Sequence, residues 1–422
     1  MSTSPWANSE ILGIKDKKER LSKEILAFTN YIAPTKREQK DREILIKTAK
    51  GAVESAYYRD TKFEPFGSYV TGLLLPGSDV DINVTTYQDS GDARRVLGRI
   101  RKELMRMSYD WNELLFIRSA RIPVLTIDDK RLGTSLDLTV NNPCFSSDRT
   151  VKWLAELPEL KPIFLTLKHA FSSSKLEYMR SFELMSSKNS GFASYTIICL
   201  IVAYIKTHKP ENVKKSTPTY YSDLLIGFLH FYSTFDFKNM CLDMNEDGKI
   251  YPKSENYMPR LQNEEVIIVL DPDVENTNVA RSSSRIRETI FSITEIYNTL
   301  LTRIDTASTD EPESILSSII KVIPHNPRDP RPEGKKYEIK ERTIKYVDHT
   351  EDDEDATDSY NDRKPWDRDY NRKRERETTP PSHSKYVSRS SKHDSSDNKK
   401  RKRSRSTESD IASSSKRAHK AD

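Results

Sequence analysis

Phe66-Gly67-Ser68, followed after a short spacer by Gly77-Ser78-Asp79-Val80-Asp81-Ile82, constrains this chain more than any other stretch. Side chains alternate across a β-strand, so Asp79 and Asp81 share one face while Val80 and Ile82 turn to a core. Two carboxylates held that close repel unless a cation lies between them, and a hard divalent metal takes oxygen ligands of this kind. The Gly-Ser turn ahead of them offers backbone N–H groups and a hydroxyl to phosphate oxygens. Metal and phosphate on one short segment point to nucleotidyl or phosphoryl transfer.

A transferase using two metals requires a third carboxylate on a neighbouring strand. Asp137, in Ser135-Leu136-Asp137-Leu138-Thr139, has the required alternation, with leucines on the opposite face. Asp128 and Asp129 compete with it but fall where the preceding strand ends. Two cations roughly 4 Å apart would then lower the pKa of an incoming 3′-hydroxyl and neutralise the triphosphate and leaving pyrophosphate. Asp137 is expected to serve as general base or as ligand of the activating metal.

Composition bears on how much of the chain packs. Of 422 residues, 35% are hydrophobic and 32% charged, which predicts a sizeable unpacked part. Helical spacing marks Leu21–Tyr31 and Arg37–Tyr57, and a strand, turn, small helix and strand occupy Phe63–Val84. An Arg-rich helix covers Asp92–Met107, and strands are expected at Leu114–Ile117, Ile122–Ile127 and Ser135–Val140. From Val151 to about Leu301 the periodicity is helical, clearest in Trp153–Phe171, Ser194–Lys206 and Tyr221–Tyr232.

Beyond residue 310 come Pro324, Pro327, Pro330 and Pro332, the acidic run Glu351–Asp355, and then Ser, Arg, Lys and Asp with almost no aliphatics. Such a segment buries too little apolar surface to offset its ordering entropy, so 311–422 is expected to be disordered. Residues 391–420 hold ten Lys/Arg and four Asp/Glu, so the rest of a chain of net charge +5 stands near −1. The chain contains no run of about 18 apolar residues, and its first residues lack the layout of a secretory signal. Cys144, Cys199 and Cys241 match no zinc spacing, and a reducing compartment without disulfides is expected.

These motifs resemble the DNA polymerase β-type nucleotidyltransferase superfamily. More closely, the chain resembles the nuclear poly(A) polymerases of the topoisomerase-related-function type, the catalytic subunits of the TRAMP RNA-surveillance complex. The resemblance spans about residues 5–305 and includes Pro5-Trp6, Asn30-Tyr31-Ile32-Ala33-Pro34, Thr71-Gly72-Leu73, and Leu75-Pro76 running into the Gly77 motif. It continues through Gly191-Phe192-Ala193-Ser194-Tyr195 and from Asp271-Pro272 through Asn278-Val279-Ala280-Arg281-Ser282-Ser283.

The fold implied is α+β. A polymerase β-like palm, a mixed sheet with helices, would occupy 51–150. A mainly helical central domain would occupy 151–310, with the helices of 1–50 packed against it. The activity implied is template-independent addition of AMP from ATP to RNA 3′ ends with two Mg²⁺ or Mn²⁺ ions. Residue by residue, the resemblance implies that Asp79, Asp81 and Asp137 bind metal and that Gly67 and Ser68 hold the triphosphate. Asn142, with Asn141, would meet the ribose hydroxyls, Lys168 and Ser194 would reach phosphate oxygens, and Tyr195 would stack on the base.

Uridylyl-adding relatives carry His where Thr277 stands, and adenylyl-adding ones more often Asn; Thr277-Asn278 here favours adenosine. The rivals are a uridylyl- or mixed-base terminal transferase and a catalytically inactive scaffold of an RNA-decay complex. The chain has no RNA-binding module of its own, so the resemblance implies a zinc-knuckle RNA-binding partner and an RNA helicase. Lys399-Lys400-Arg401-Lys402-Arg403 fits a nuclear-import signal.

Overall fold

Strand alternation builds the first layer as the sequence predicts. In the computed structural model, β2 (Val80–Thr86) buries Val80, Ile82 and Val84 completely and leaves Asp81 only partly covered. The structure describes residues 4–57, 61–107, 111–129, 131–132, 134–172, 191–253, 266–308 and 313–320, all within the unit Met1–Lys336.

The palm sheet contains β1 (Thr61–Phe66), β2, β3 (Trp111–Ile117), β4 (Val124–Asp129) and β5 (Ser135–Val140) in the order β1-β2-β5-β4-β3. Only β2 and β5 run parallel; the other pairs are antiparallel, so the sheet is mixed. Two helices cover its apolar face. These are α3 (Lys36–Ala56), which buries Leu45, Ala49, Ala52 and Val53, and α5 (Ala93–Arg106), which buries Val96, Leu97, Ile100 and Leu104. Thr35 and Glu38 form a capping box that fixes the start of α3.

The second core is helical. It holds α2 (Lys17–Tyr31), α6 (Phe145–Glu156), α7 (Leu160–Ser172), α8 (Ser194–Ala203), α9 (Tyr220–Thr234) and α10 (Ile286–Thr306), with the one-turn α1 (Ser9–Leu12) beside α2. The first two residues of α8 are partly covered, but Thr196 through Ala203 are buried all round, the mark of a helix at the centre of a core.

Four sequence expectations are corrected. The first fifty residues do not act together: α2 packs on α7 and α9, whereas α3 joins the palm, because its apolar stripe meets α5 and the sheet. The helix expected over Trp153–Phe171 is two helices, broken at Leu157–Glu159; Pro158 disfavours helix in the residue before it, and Pro162 is tolerated in the first turn of α7. The helical region also contains a small sheet of β6 (Met240–Asp243), β7 (Lys249–Pro252) and β8 (Val269–Leu270) in the order β7-β6-β8, with strands too short for periodicity to reveal.

The fourth concerns the tail. Ser314, Ile315, Leu316, Ile319 and Ile320 are buried, so the packed chain extends to residue 320 and not 310. Glu24 accepts hydrogen bonds from Ser314 Oγ (2.6 Å), Ile315 N (3.1 Å) and Leu316 N (2.8 Å). Burial raises the Glu24 pKa, against these bonds and the nearby Arg20. The expectation of disorder for the remainder of 311–422 lies outside the described residues. No helix among the described residues is long and apolar enough to cross a membrane.

Candidate active site

The parallel pairing of β2 with β5 sets Asp81 directly beside Asp137 in register, and Asp79 lies one residue ahead of β2. One carboxylate oxygen from each of Asp79, Asp81 and Asp137 lies within 4.8 Å of the other two. Burial first, then the charges of Asp79 and Asp137, push the Asp81 pKa up to about 7, with Lys168 opposing. The all-oxygen donor set fits a hard divalent cation. Thr126 on β4 donates its hydroxyl hydrogen to Asp137 Oδ1 (2.6 Å), fixing that carboxylate's orientation.

The competing carboxylates stay out of this cluster. Asp129 is buried and ion-paired with Arg131; burial alone would raise its pKa, but the hydrogen bonds and charge of Arg131 bring it below the usual carboxylate value. Asp128 is placed opposite Ser135, at the far end of the β4–β5 ladder from the Leu125–Leu138 pair.

Gly67 directly follows β1 with φ +66°, and a Cβ built there would overlap Asp81 Oδ2. Glycine is therefore required twice, by backbone conformation and by the carboxylate's approach. Its N–H donates to Ser147 Oγ of α6 (2.8 Å), and Gly67 opens the short helix α4 (Gly67–Thr71), with Ser68 its second residue. Gly67→Ala is expected to cost about 1–2 kcal/mol in stability and to weaken divalent-cation binding about tenfold or more. Calorimetric titration with Mn²⁺ and a thermal melt check both.

Lys168 projects from the helical core toward these carboxylates: burial lowers its pKa, while Asp79 and Asp81 hold it up. Asn142 is brought to the Asp81 face of β2 through its N–H, which donates to Asn83 Oδ1 (2.9 Å). Asn141, expected to help there, is committed elsewhere. In a left-handed conformation (φ +50°), its amide accepts from Thr86 N (3.0 Å) and donates to Thr86 O (2.9 Å), tying β2 to β5.

Ser194 and Tyr195 lie in the first turn of α8. The Tyr195 ring stacks on Trp153 of α6 (centroids 6.2 Å, interplanar angle 22°), and burial pushes its phenol pKa far above the usual range. Arg149, also on α6, sits over Trp153 and makes a two-pronged ion pair with Asp273, so α6 reaches the loop that carries Thr277.

Thr277 is partly exposed there, its hydroxyl donating to Glu275 O (3.4 Å). Asn278 is buried, and its amide is taken up by backbone groups. Its Oδ1 accepts from Val269 N (3.0 Å) and Ala280 N (2.9 Å), and its Nδ2 donates to Ile267 O (2.8 Å). Asn278→Ala is expected to cost about 2–4 kcal/mol by leaving three backbone groups unpaired, read as a lowered thermal midpoint.

Sequence reasoning missed several supporting residues, Thr126, Ser147 and Arg149 among them. Arg42 is fully buried in α3 and donates to Glu38 O (3.1 Å) and Ser78 O (3.1 Å), holding the turn that delivers Asp79; Thr134 Oγ1 donates to the same Ser78 oxygen (3.0 Å). The place of Arg42 three residues before Leu45 on the apolar stripe of α3 is a signal that could have found it. Ser147 carries no such signal.

Residues 21–145 match the model described as poly(A) RNA polymerase, mitochondrial-like, central palm domain, and residues 221–277 that of Cid1 family poly A polymerase. "Poly(A) RNA polymerase protein 2" of Saccharomyces cerevisiae is 26% identical over 291 residues, which is 67% of this chain and 48% of the relative. The chain thus spans about half the length of that curated relative.

Among solved structures, the polymerase core of TRAMP, an RNA surveillance complex, aligns with a TM-score of 0.64 at 24% identity, covering 74% of this chain and 97% of that one. A Cid1 poly(U) polymerase structure aligns at 0.57 with 18% identity, covering 71% and 98%. The chain therefore has the polymerase β-like nucleotidyltransferase fold and is similar to the poly(A) RNA polymerases over about two thirds of its length, as the resemblance in its motifs implies.

Proposed function

We propose that this chain is a template-independent adenylyltransferase that uses ATP and two divalent cations, Mg²⁺ or Mn²⁺, to extend RNA 3′ ends. The observation that carries this reading is the convergence of Asp79, Asp81 and Asp137 with one oxygen each inside 4.8 Å. The names of the poly(A) RNA polymerase relatives support adenosine.

Bound cations would supply the polarisation of the 3′-hydroxyl and the screening of the triphosphate. The chain's own residues do the rest. Asp79, Asp81 and Asp137 hold the cations, and Thr126 keeps Asp137 aimed. Gly67, having no side chain, lets the Asp81 carboxylate lie against the backbone there, and Ser68, next in the chain, would offer its hydroxyl to the triphosphate. Lys168 supplies positive charge between the carboxylates and the phosphates. Ser147 and Trp153 lie six residues apart on α6, about 9 Å along the helix. That separation sets the distance between the turn facing the phosphates and the Trp153–Tyr195 pair, on which the base would stack. Asn142, tied to Asn83, meets the ribose.

Base choice then rests on Thr277 and the ring stack, since the Asn278 amide is spent on backbone. Asn278→Ala is expected to lower stability without switching the nucleotide used. The second reading, uridylyl transfer, is favoured by the fold shared with Cid1 and disfavoured by Thr277 in place of His. Extension of one RNA primer with each of the four nucleotides separates them: ATP is expected to be used best, and scant extension with ATP would sink the adenylyl assignment. A zinc-knuckle RNA-binding partner, an RNA helicase and nuclear placement through Lys399–Arg403 belong to the same proposal, supported by the likeness to the TRAMP polymerase core.

A further inference from the structure

Helix α5 carries six cations against a single carboxylate, although the chain outside residues 391–420 is close to neutral. Arg94, Arg95, Arg99, Arg101 and Lys102 line a groove of about 400 Å³ that Arg118, at the end of β3, closes from the other side. Its one acidic lining residue, Asp89, is paired with Arg99 at 3.1 Å and hydrogen-bonded by Tyr57. The cations at i and i+4 on one exposed face repel one another within the helix.

Two further details suit a nucleic-acid strand. Phe116 forms the groove wall with the Arg118 guanidinium 5.1 Å from its ring centre, a surface on which a base can stack. Gly98 forms the floor in mid-helix, where a Cβ would only touch Phe116 at 3.9 Å. Alanine would fit there and favour the helix, so the notch costs helix propensity and keeps the groove deep.

The groove is not part of the carboxylate site. α5 packs on the sheet face that buries Ile82, Leu136 and Leu138, and alternation sends Asp81 and Asp137 to the opposite face. β3 is the edge strand, three strands from β2, roughly 15 Å away at the usual strand spacing.

We propose that the α5–β3 groove is a second RNA contact, gripping the phosphate backbone upstream of the 3′ end as the strand rounds the β3 edge. This rests on the RNA-extending activity proposed above. The groove adds affinity for long RNA and leaves the chemistry on short primers untouched.

The test uses the full chain with Arg95→Gln, Lys102→Gln and Arg118→Gln together; all three side chains are exposed and none serves the carboxylate site. Binding of a 40-nucleotide single-stranded RNA is measured across a salt series by fluorescence anisotropy. The triple variant is expected to bind roughly tenfold more weakly at low salt, with a salt slope shallower by about two, since each lost single-strand phosphate contact removes about 0.7. Extension of a five-nucleotide primer is expected to keep kcat and KM within twofold. Arg95→Lys with Arg118→Lys, which keeps the charge, is expected to retain the parent's slope.

Equal affinity and slope for parent and triple variant would overturn the proposal. So would an equal loss of kcat on both RNAs, which would mean a disturbed site. A parent that extends neither RNA defeats the proposed activity alone, because the binding series is read without catalysis.

Discussion

Asp81→Asn is expected to abolish nucleotidyl transfer and, at the same time, to raise the thermal midpoint of the metal-free protein. Loss of one ligand from the three-carboxylate cluster removes several kcal/mol of charge stabilisation, on the order of 10³-fold in rate or more. The gain in stability has the opposite origin. In the fold, burial and two neighbouring carboxylates raise the Asp81 pKa to about 7, above the ordinary unfolded value of about 3.9.

An acid whose pKa is raised by folding opposes the fold when ionised. The penalty is complete above pH 7 and disappears as pH falls toward 4. Asparagine never bears that charge, so at pH 8 without divalent cations the variant should melt about 2 °C higher, a modest figure because Asp81 is only partly buried. The gap should close near pH 4. Excess Mn²⁺ should reverse it, because only the parent gains binding energy from the cation. A variant that melts below the parent at pH 8 without metal, or that still transfers nucleotides efficiently, would contradict the cluster's electrostatics.

A chain ending at residue 310 is expected to fail as a folded protein, whereas one ending at residue 322 should melt within about 2 °C of the full chain. Ile315, Leu316, Ile319 and Ile320 are at most 4% exposed. At about 1.5–3 kcal/mol for each buried aliphatic, their loss removes up to roughly 6–12 kcal/mol, comparable to the whole stability of a typical domain. Truncation also strands Glu24 and Arg20, whose side chains are 0% and 2% exposed and lie 3.5 Å apart. Glu24 would lose three donors, and Arg20 its bond to Glu313 O. A buried pair left without its remaining partners is strongly destabilising. Identical melting of the two truncated chains would disprove the clasp.

The palm was legible because its signals are local. Alternation in Val80–Ile82 and Leu136–Leu138 fixes which way Asp81 and Asp137 point, and their pairing in register follows from two strands sharing one buried face. The residues that resisted reading act through backbone groups distant in sequence. Asn278 looks like a specificity residue in the chain and is a clamp in the fold, since its partners Ile267, Val269 and Ala280 are backbone groups that composition does not reveal. Asn141 is similar, spent on Thr86 fifty-five residues earlier. The tail boundary was misplaced because 313–320 is short and follows polar residues, so its apolar content is diluted in any window wide enough to judge disorder.

Helix α6 joins Gly67 through Ser147, Tyr195 through Trp153 and Asp273 through Arg149. It therefore works as a rigid caliper between two halves of the cleft that belong to different cores. Changes in the length of the loops around it leave the gauge untouched. One residue inserted between Ser147 and Trp153 would instead turn the ring by about 100° and advance it 1.5 Å, taking it off Tyr195. In such an architecture the surface loops can change length without moving the two ends of the cleft, while a change of one residue within this helix moves them.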